Sequence, residues 1–156
     1  MTWTVLSFGK HQGKTLPLII LDDPDWFFWV LPGLYGQLKV EADDLARKAS
    51  KIKIPRRNPR KWCVEFRFEH GDRFCGFDIV RADSFMNSKW SIRLPYLDLR
   101  LPRSYKAYDK QGYKNLIRDF RKLYFHDRDL TKKRCEDFFD NIDNFLWNST
   151  FEEMPA

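Results

Sequence analysis

Gly9-Lys10-His11-Gln12-Gly13-Lys14 sets two glycines four apart among two lysines and a histidine. Glycines let a backbone turn tightly, and cations flanking such a turn seek phosphate. With Thr15 the stretch is one residue short of the loop G-x-x-x-x-G-K-T, whose backbone amides must surround a phosphate, so nucleotide hydrolysis is not expected. Glu65 and Asp78, read below as cross-strand opposites, could hold Mg²⁺ between two carboxylates. No basic partner completes a nuclease-type arrangement around them, so their expected place is the wet face of a hairpin. Three histidines and three cysteines show no ligand spacing, and no Ser-His-Asp or Cys-His grouping is legible. The sequence therefore reads as a non-enzyme with no metal, no cofactor and no catalytic residue.

The remaining chemistry is that of surface cations and rings. Lys and Arg number 28 against 22 Asp and Glu, a net charge of +6. The charge is polarised. Ala46 to Lys61 holds Arg47, Lys48, Lys51, Lys53, Arg56, Arg57, Arg60 and Lys61 with no acid, while Glu136 to Ala156 is acidic without a base. A second cluster, Lys110, Lys114, Arg118, Arg121 and Lys122, falls on one stripe of a helix. Arg100, Arg103 and Lys106 stand beside Tyr105 and Tyr108. Cations in such runs neutralise phosphates, and rings among them stack on bases. Lys10, His11, Lys14, Lys48, Lys51, Lys53, Arg56, Arg57, Arg60, Lys61, Lys114, Arg118 and Arg121 are the candidate nucleic-acid contacts. The competing reading of each is a solvated surface charge. Aromatics make up 17% of the chain. Four consecutive rings, Trp26-Phe27-Phe28-Trp29, cannot all face one core from a single helix, so Trp26, Phe28 and Trp29 are candidates for a protein interface.

These residues need elements to position them. Residues 3–8 read as a short strand ahead of the glycine turn. Thr15 could cap a short helix with Pro17 in its first turn, and Asp23 a second with Pro24 at its first position, ending at Pro32-Gly33. Leu38, Ala42, Leu45, Ala46 and Ala49 share one face of a third helix. Pro55 to Arg60 is linker-like and sets a boundary between a module at 1–54 and a second at 62–150, with 55–61 as a basic linker. Val64, Phe66 and Phe68 alternate with polar residues, as do Cys75, Phe77 and Ile79. A two-residue Gly71-Asp72 turn pairs Phe68 with Cys75, Phe66 with Phe77 and Val64 with Ile79. Trp90-Ile92-Leu94 and Leu97-Leu99-Leu101 read as further strands. Two amphipathic helices follow, striped by Tyr113-Leu116-Ile117-Phe120-Leu123 and Cys135-Phe138-Phe139-Ile142-Phe145-Leu146. The fold class is α+β: a small N-terminal strand-plus-helices module, then an antiparallel sheet packed on two C-terminal helices.

Phe8-Gly9-Lys10-His11-Gln12-Gly13-Lys14 followed by Asp23-Pro24-Asp25-Trp26-Phe27-Phe28-Trp29-Val30-Leu31 resembles the small C-terminal module of exonuclease X-type 3′–5′ exonucleases, also found in small phage and bacterial proteins. That module reads Phe-Gly-Lys-x-x-Gly-Lys, then Asp-Pro-x-Tyr-Leu-x-Trp-Leu-Leu. Trp26 stands here at its Tyr, and Phe28 at a position expected to be polar. The resemblance covers the first third of the chain. In those exonucleases the catalytic acids lie in a separate domain, so it implies an accessory, nucleic-acid-contacting role, phage- or mobile-element-like, with DNA favoured over RNA.

Composition sets the outer bounds. The longest apolar runs, Leu16 to Leu21 and Trp26 to Leu31, are far below the roughly 20 residues of a membrane span. No signal peptide is legible, and three unpaired cysteines fit a reducing compartment, so a cytoplasmic protein is expected. The rival to nucleic-acid binding is a protein-interaction module, an inhibitor or adaptor. Its supports are the four rings and the acidic last helix.

Overall fold

A computed structural model describes residues 2–56, 59–86 and 88–142. Arg57, Asp143, Asn144, Phe145 and Leu146 lie outside the described residues. The chain begins with the glycine turn and three helices, α1 (Leu16–Asp22), α2 (Pro24–Val30) and α3 (Gly36–Ala49). Strands β1 (Ile52–Lys53), β2 (Trp62–Glu69), β3 (Arg73–Arg81), β4 (Ile92–Leu94) and β5 (Tyr96–Leu97) follow, then α4 (Lys110–Tyr124) and α5 (Lys132–Asp140). The class is α+β. One antiparallel sheet has the order β3-β2-β4, and β1 pairs with β5 in a second.

Residues 3–8 do not form a strand. They make a single bridge, Val5 to Thr15, across the glycine turn. Thr15 precedes α1, but its hydroxyl does not cap it. It donates instead to Glu136 on α5 at 3.0 Å. Asp140 of α5 accepts from the Trp3 indole at 3.1 Å. Two acids of the acidic stretch thus hold the helix onto the N-terminal residues. On its other side Phe138 packs edge-on against Phe120 of α4, ring centres 5.4 Å apart.

The stretch at 55–61 does not divide the core. Ile52 pairs with Leu97 and Lys53 with Tyr96, so β1 is held by a strand from beyond the linker. One apolar cluster runs from Leu16, Phe27 and Leu45 through Phe66 and Leu97 to Phe120 and Phe139. Burial of that continuous surface is the main cohesive force.

The hairpin keeps the expected pairs Phe66–Phe77 and Val64–Ile79 but shifts nearer its turn. Phe68 pairs with Phe74 and Glu69 with Arg73, leaving a three-residue turn, His70-Gly71-Asp72. Cys75 is the extra residue of a bulge beside Arg67 and Phe68. The physical reason is burial. The bulge turns Phe74 inward against Phe68, ring centres 5.3 Å apart, where strict alternation would have buried the smaller Cys75.

The bulge also carries Gly76 at φ +141°, where side chains are rarely tolerated. A Cβ there would collide with Asp119 Oδ2 and stand 2.8 Å from Arg67 Nη2 and 2.9 Å from Arg118 Nη2. Asp119 accepts from the Phe77 amide at 3.0 Å and so docks α4 on β3. Gly76→Ala is expected to destabilise the fold by about 2 kcal/mol or more in urea denaturation. Gly13→Ala has the same kind of positive φ but no neighbour within 4 Å, and should cost only about 1 kcal/mol.

Candidate nucleic-acid interface

Asp23-Pro24-Asp25 builds the joint on which the site depends. Asp23 caps α2 through the Trp26 amide, and Pro24 supplies a first helical residue with its φ already set. The same carboxylate receives Lys10 at 2.7 Å and His11 Nε2 at 2.9 Å from the glycine turn. Burial pushes the Asp23 carboxyl up, but hydrogen bonds from Lys10 and His11 outweigh it and hold the group below its ordinary range. Gly9 and Gly13 take φ of +74° and +88°, which lets the turn fold back onto α2.

This geometry corrects the expectation for His11. It is buried, its Nε2 faces Asp23, and its Nδ1 lies 3.2 Å from Lys14 Nζ. Donation from Nε2–H with acceptance at Nδ1 satisfies both contacts. The ring packs edge-on to Trp26 with centres 4.8 Å apart and is not open to a phosphate.

Asp25 points the other way. It is buried, and its Oδ1 accepts from Arg103 Nη1 at 3.0 Å while Oδ2 accepts from the Asp109 amide at 2.9 Å. Asp109 in turn caps α4 by accepting from the Gly112 amide at 2.9 Å. Burial drives the Asp25 carboxyl above its usual value, against the opposing pull of the Asp109 amide and Arg103.

The two aspartates therefore bring together two basic groups that the sequence sets about 100 residues apart. A cleft of about 410 Å³ opens between the α1–α2 joint and α4. Lys10 lines one wall, and Lys110, Lys114, Arg118 and Arg121 line the other, with Tyr108 at the rim. Asp22, Asp23 and Asp25 lie on the first wall. Each is already engaged, Asp22 by Lys14 at 3.6 Å and the others as above. Arg118 and Arg121 are tied to Asp119 and Asp129. Lys110 and Lys114 are exposed and make no ion pair among the described residues. The wall is thus net positive, with two lysines open to solvent.

The linker cations spread differently. Lys48 joins Arg47 on Asp44, at 3.1 and 2.8 Å. Lys53 is half-buried on β1, whereas Lys51, Arg60 and Lys61 are exposed. Arg56 stacks over Trp62 at 5.4 Å, joined by Arg81 at 5.7 Å. Arg56 and Lys122 line a second cleft of about 340 Å³ beside α4 with Asp78 and Asp119, which pair with Arg67 and Arg118, so Arg56 continues the line of the α4 stripe. Trp62 and Arg81 were not singled out in the sequence, although Arg56 was. The signal was a tryptophan flanked by a proline-arginine run.

The expected protein-interface rings divide. Phe28 is only 2% exposed and packs edge-on against Phe27, so it belongs to the core, where the Arg100 guanidinium lies over its ring at 5.3 Å. Trp26 is half-buried against the glycine turn. Trp29 is 65% exposed.

The carboxylates Glu65 and Asp78 do face each other in register. Glu65 is not on a wet face, however. It is fully buried against Arg93 Nε at 3.0 Å, while Asp78 is exposed and pairs with Arg67 at 3.2 Å. Each acid is neutralised by its own arginine. Burial raises all three thiols, with Cys135 pushed up to about 12, which leaves each a poor nucleophile. Among the described residues no three His, Cys, Asp or Glu gather to hold a metal, and no helix is long and apolar enough to cross a membrane. No family model, curated protein or solved structure matches the chain.

Asp25→Ala should strand Arg103 and the Asp109 amide. We expect a loss of about 3 kcal/mol in chemical denaturation, because a partly buried charge loses its partner. Asp25→Asn, which keeps an oxygen for the Asp109 amide, should lose clearly less.

Proposed function

We propose that this protein is a non-catalytic nucleic-acid-binding accessory protein that holds phosphates along the cleft between the α1–α2 joint and α4. The observation that carries the reading is the convergence of Lys10 with Lys110, Lys114, Arg118 and Arg121 on one cleft. Three supports add to it. The acids of that cleft are internally neutralised, so they repel an anion less than their number implies. Arg56, Lys122 and Arg60 prolong the positive line. The resemblance of the first third to an exonuclease accessory module points to the same partner. The contacts are with backbone and exposed rings rather than base edges, which favours shape and charge over sequence.

Lys110 and Lys114 test this directly, since neither is engaged in the fold. Changing both to Ala should weaken binding of a labelled oligonucleotide at least about tenfold near 0.1 M salt. It should also lower the slope of log affinity against log salt by about two. Unchanged affinity and slope would remove the cleft as the phosphate site.

A second reading, a protein-docking module, has its own observation. Tyr35 is exposed on an apolar groove of about 530 Å³ that Val5, Phe8, Val30 and Leu34 also line, and Trp29 is exposed on the neighbouring turn of α2. Trp29→Ser with Tyr35→Ser should leave nucleic-acid affinity within about twofold if the cleft is the site. A large loss would move the interface to this groove.

A further inference from the structure

Phe85 is 98% exposed, although its loop is held in place. Arg93 of β4 spends its whole guanidinium on the arrangement. Nε pairs with the buried Glu65 at 3.0 Å. Nη1 donates to the Ser84 carbonyl at 2.7 Å, and Nη2 donates to Ser84 Oγ at 3.1 Å and to the Phe85 carbonyl at 3.0 Å. Ser84 is tied again through its amide and hydroxyl to the Arg81 carbonyl. An ion pair between the buried Glu65 of the central strand and Arg93 of the edge strand thus fixes the backbone on which a bare ring is displayed. Fixing a contact residue before binding lowers the ordering cost of the complex.

The surroundings of this loop are cationic. Arg93 and Ala82 line a cleft of about 510 Å³ with Arg60 and Trp62, and Trp62 carries Arg56 and Arg81 against its ring. Asp83 is the acid of the loop, and Arg81 holds it at 3.4 Å. Arg56 also lines the α4-side cleft, so this end of the sheet continues the positive line from α4. A bare ring whose own backbone carbonyl is held by Arg93, on a loop that begins at Arg81, matches an unpaired base next to its phosphates.

We propose that Phe85 is a stacking platform for an unpaired base, which makes single-stranded nucleic acid the preferred ligand. This rests on the phosphate-binding reading above and adds strandedness to it. Duplex bases are already stacked and offer the ring no face, so Phe85 should contribute only to single strands.

The test compares wild type, Phe85→Ala and Phe85→Trp by anisotropy on a labelled oligo-dT strand and on a duplex of equal length. Because Phe85 is exposed, neither variant should perturb folding. Phe85→Ala should weaken single-strand binding about tenfold, as loss of one stacked base does, with the salt slope unchanged. Duplex affinity should stay within about twofold, and Phe85→Trp should bind the strand at least as well as wild type. Wild-type strand affinity in Phe85→Ala, or equal losses on strand and duplex, would overturn the stacking role while leaving phosphate binding intact. Absence of wild-type binding to either ligand near 50 mM salt, where phosphate contacts are strongest, would overturn both readings. Co-sedimentation with phosphatidylserine vesicles that vanishes in Phe85→Ala would assign the ring to a membrane surface instead.

Discussion

The buried Asp25 carboxylate is the constraint from which the rest of the molecule follows. One oxygen holds Arg103 and the other holds the first amide of the α4 cap. Two residues earlier, Asp23 caps α2 and gathers Lys10 and His11 of the glycine turn. Pro24 between them fixes the angle at which the two carboxylates diverge. Removing Arg103 from Asp25 would leave a buried carboxylate without its charge partner, which is costly in a low-dielectric surrounding. This three-residue joint ties α4 to the N-terminal helices across the cleft, while Asp119 docks the same helix on β3.

Much of the local structure was legible. Asp-Pro announced α2, the apolar stripes announced α3 and α4, and the alternation of Val64, Phe66, Phe77 and Ile79 announced the sheet face. Each is a short-range signal of cap or periodicity. Long-range partnerships were not legible. Nothing in Ile52-Lys53 says that its partner is Tyr96-Leu97, because two-residue strands carry no pattern. The linker reading failed for the same reason: two prolines mark a break in helix, not a break in the core. The bulge at Cys75 escaped because strict alternation and a two-residue turn formed a self-consistent alternative, and only the demand to bury Phe74 decides between them.

The candidate site shows the same division. The basic stripe of α4 and the lysines of the glycine turn could each be named from spacing, but their convergence depends on Asp25 and on burial that spacing does not encode. His11 was misread because its chemistry was visible and its partner was not. Phe28 was misread by counting rings on a helix without counting the elements around it; α2 is covered on more than one side. Glu65 and Arg93 were missed as a pair because they meet across strands 28 residues apart. Their ion pair holds an unpatterned loop in place, with Phe85 outside the core and its carbonyl on Arg93.

The central claim is that nucleic acid lies against α4 and the α1–α2 joint. An oligonucleotide titration of the isotopically labelled protein, followed by amide chemical shifts at low salt, tests it most directly. The account predicts saturable shifts concentrated on Lys10, Lys110, Lys114 and Arg118 and continuing towards Arg56 and Arg60. Shifts confined to Trp29 and the groove at Tyr35, or none at all, would contradict it.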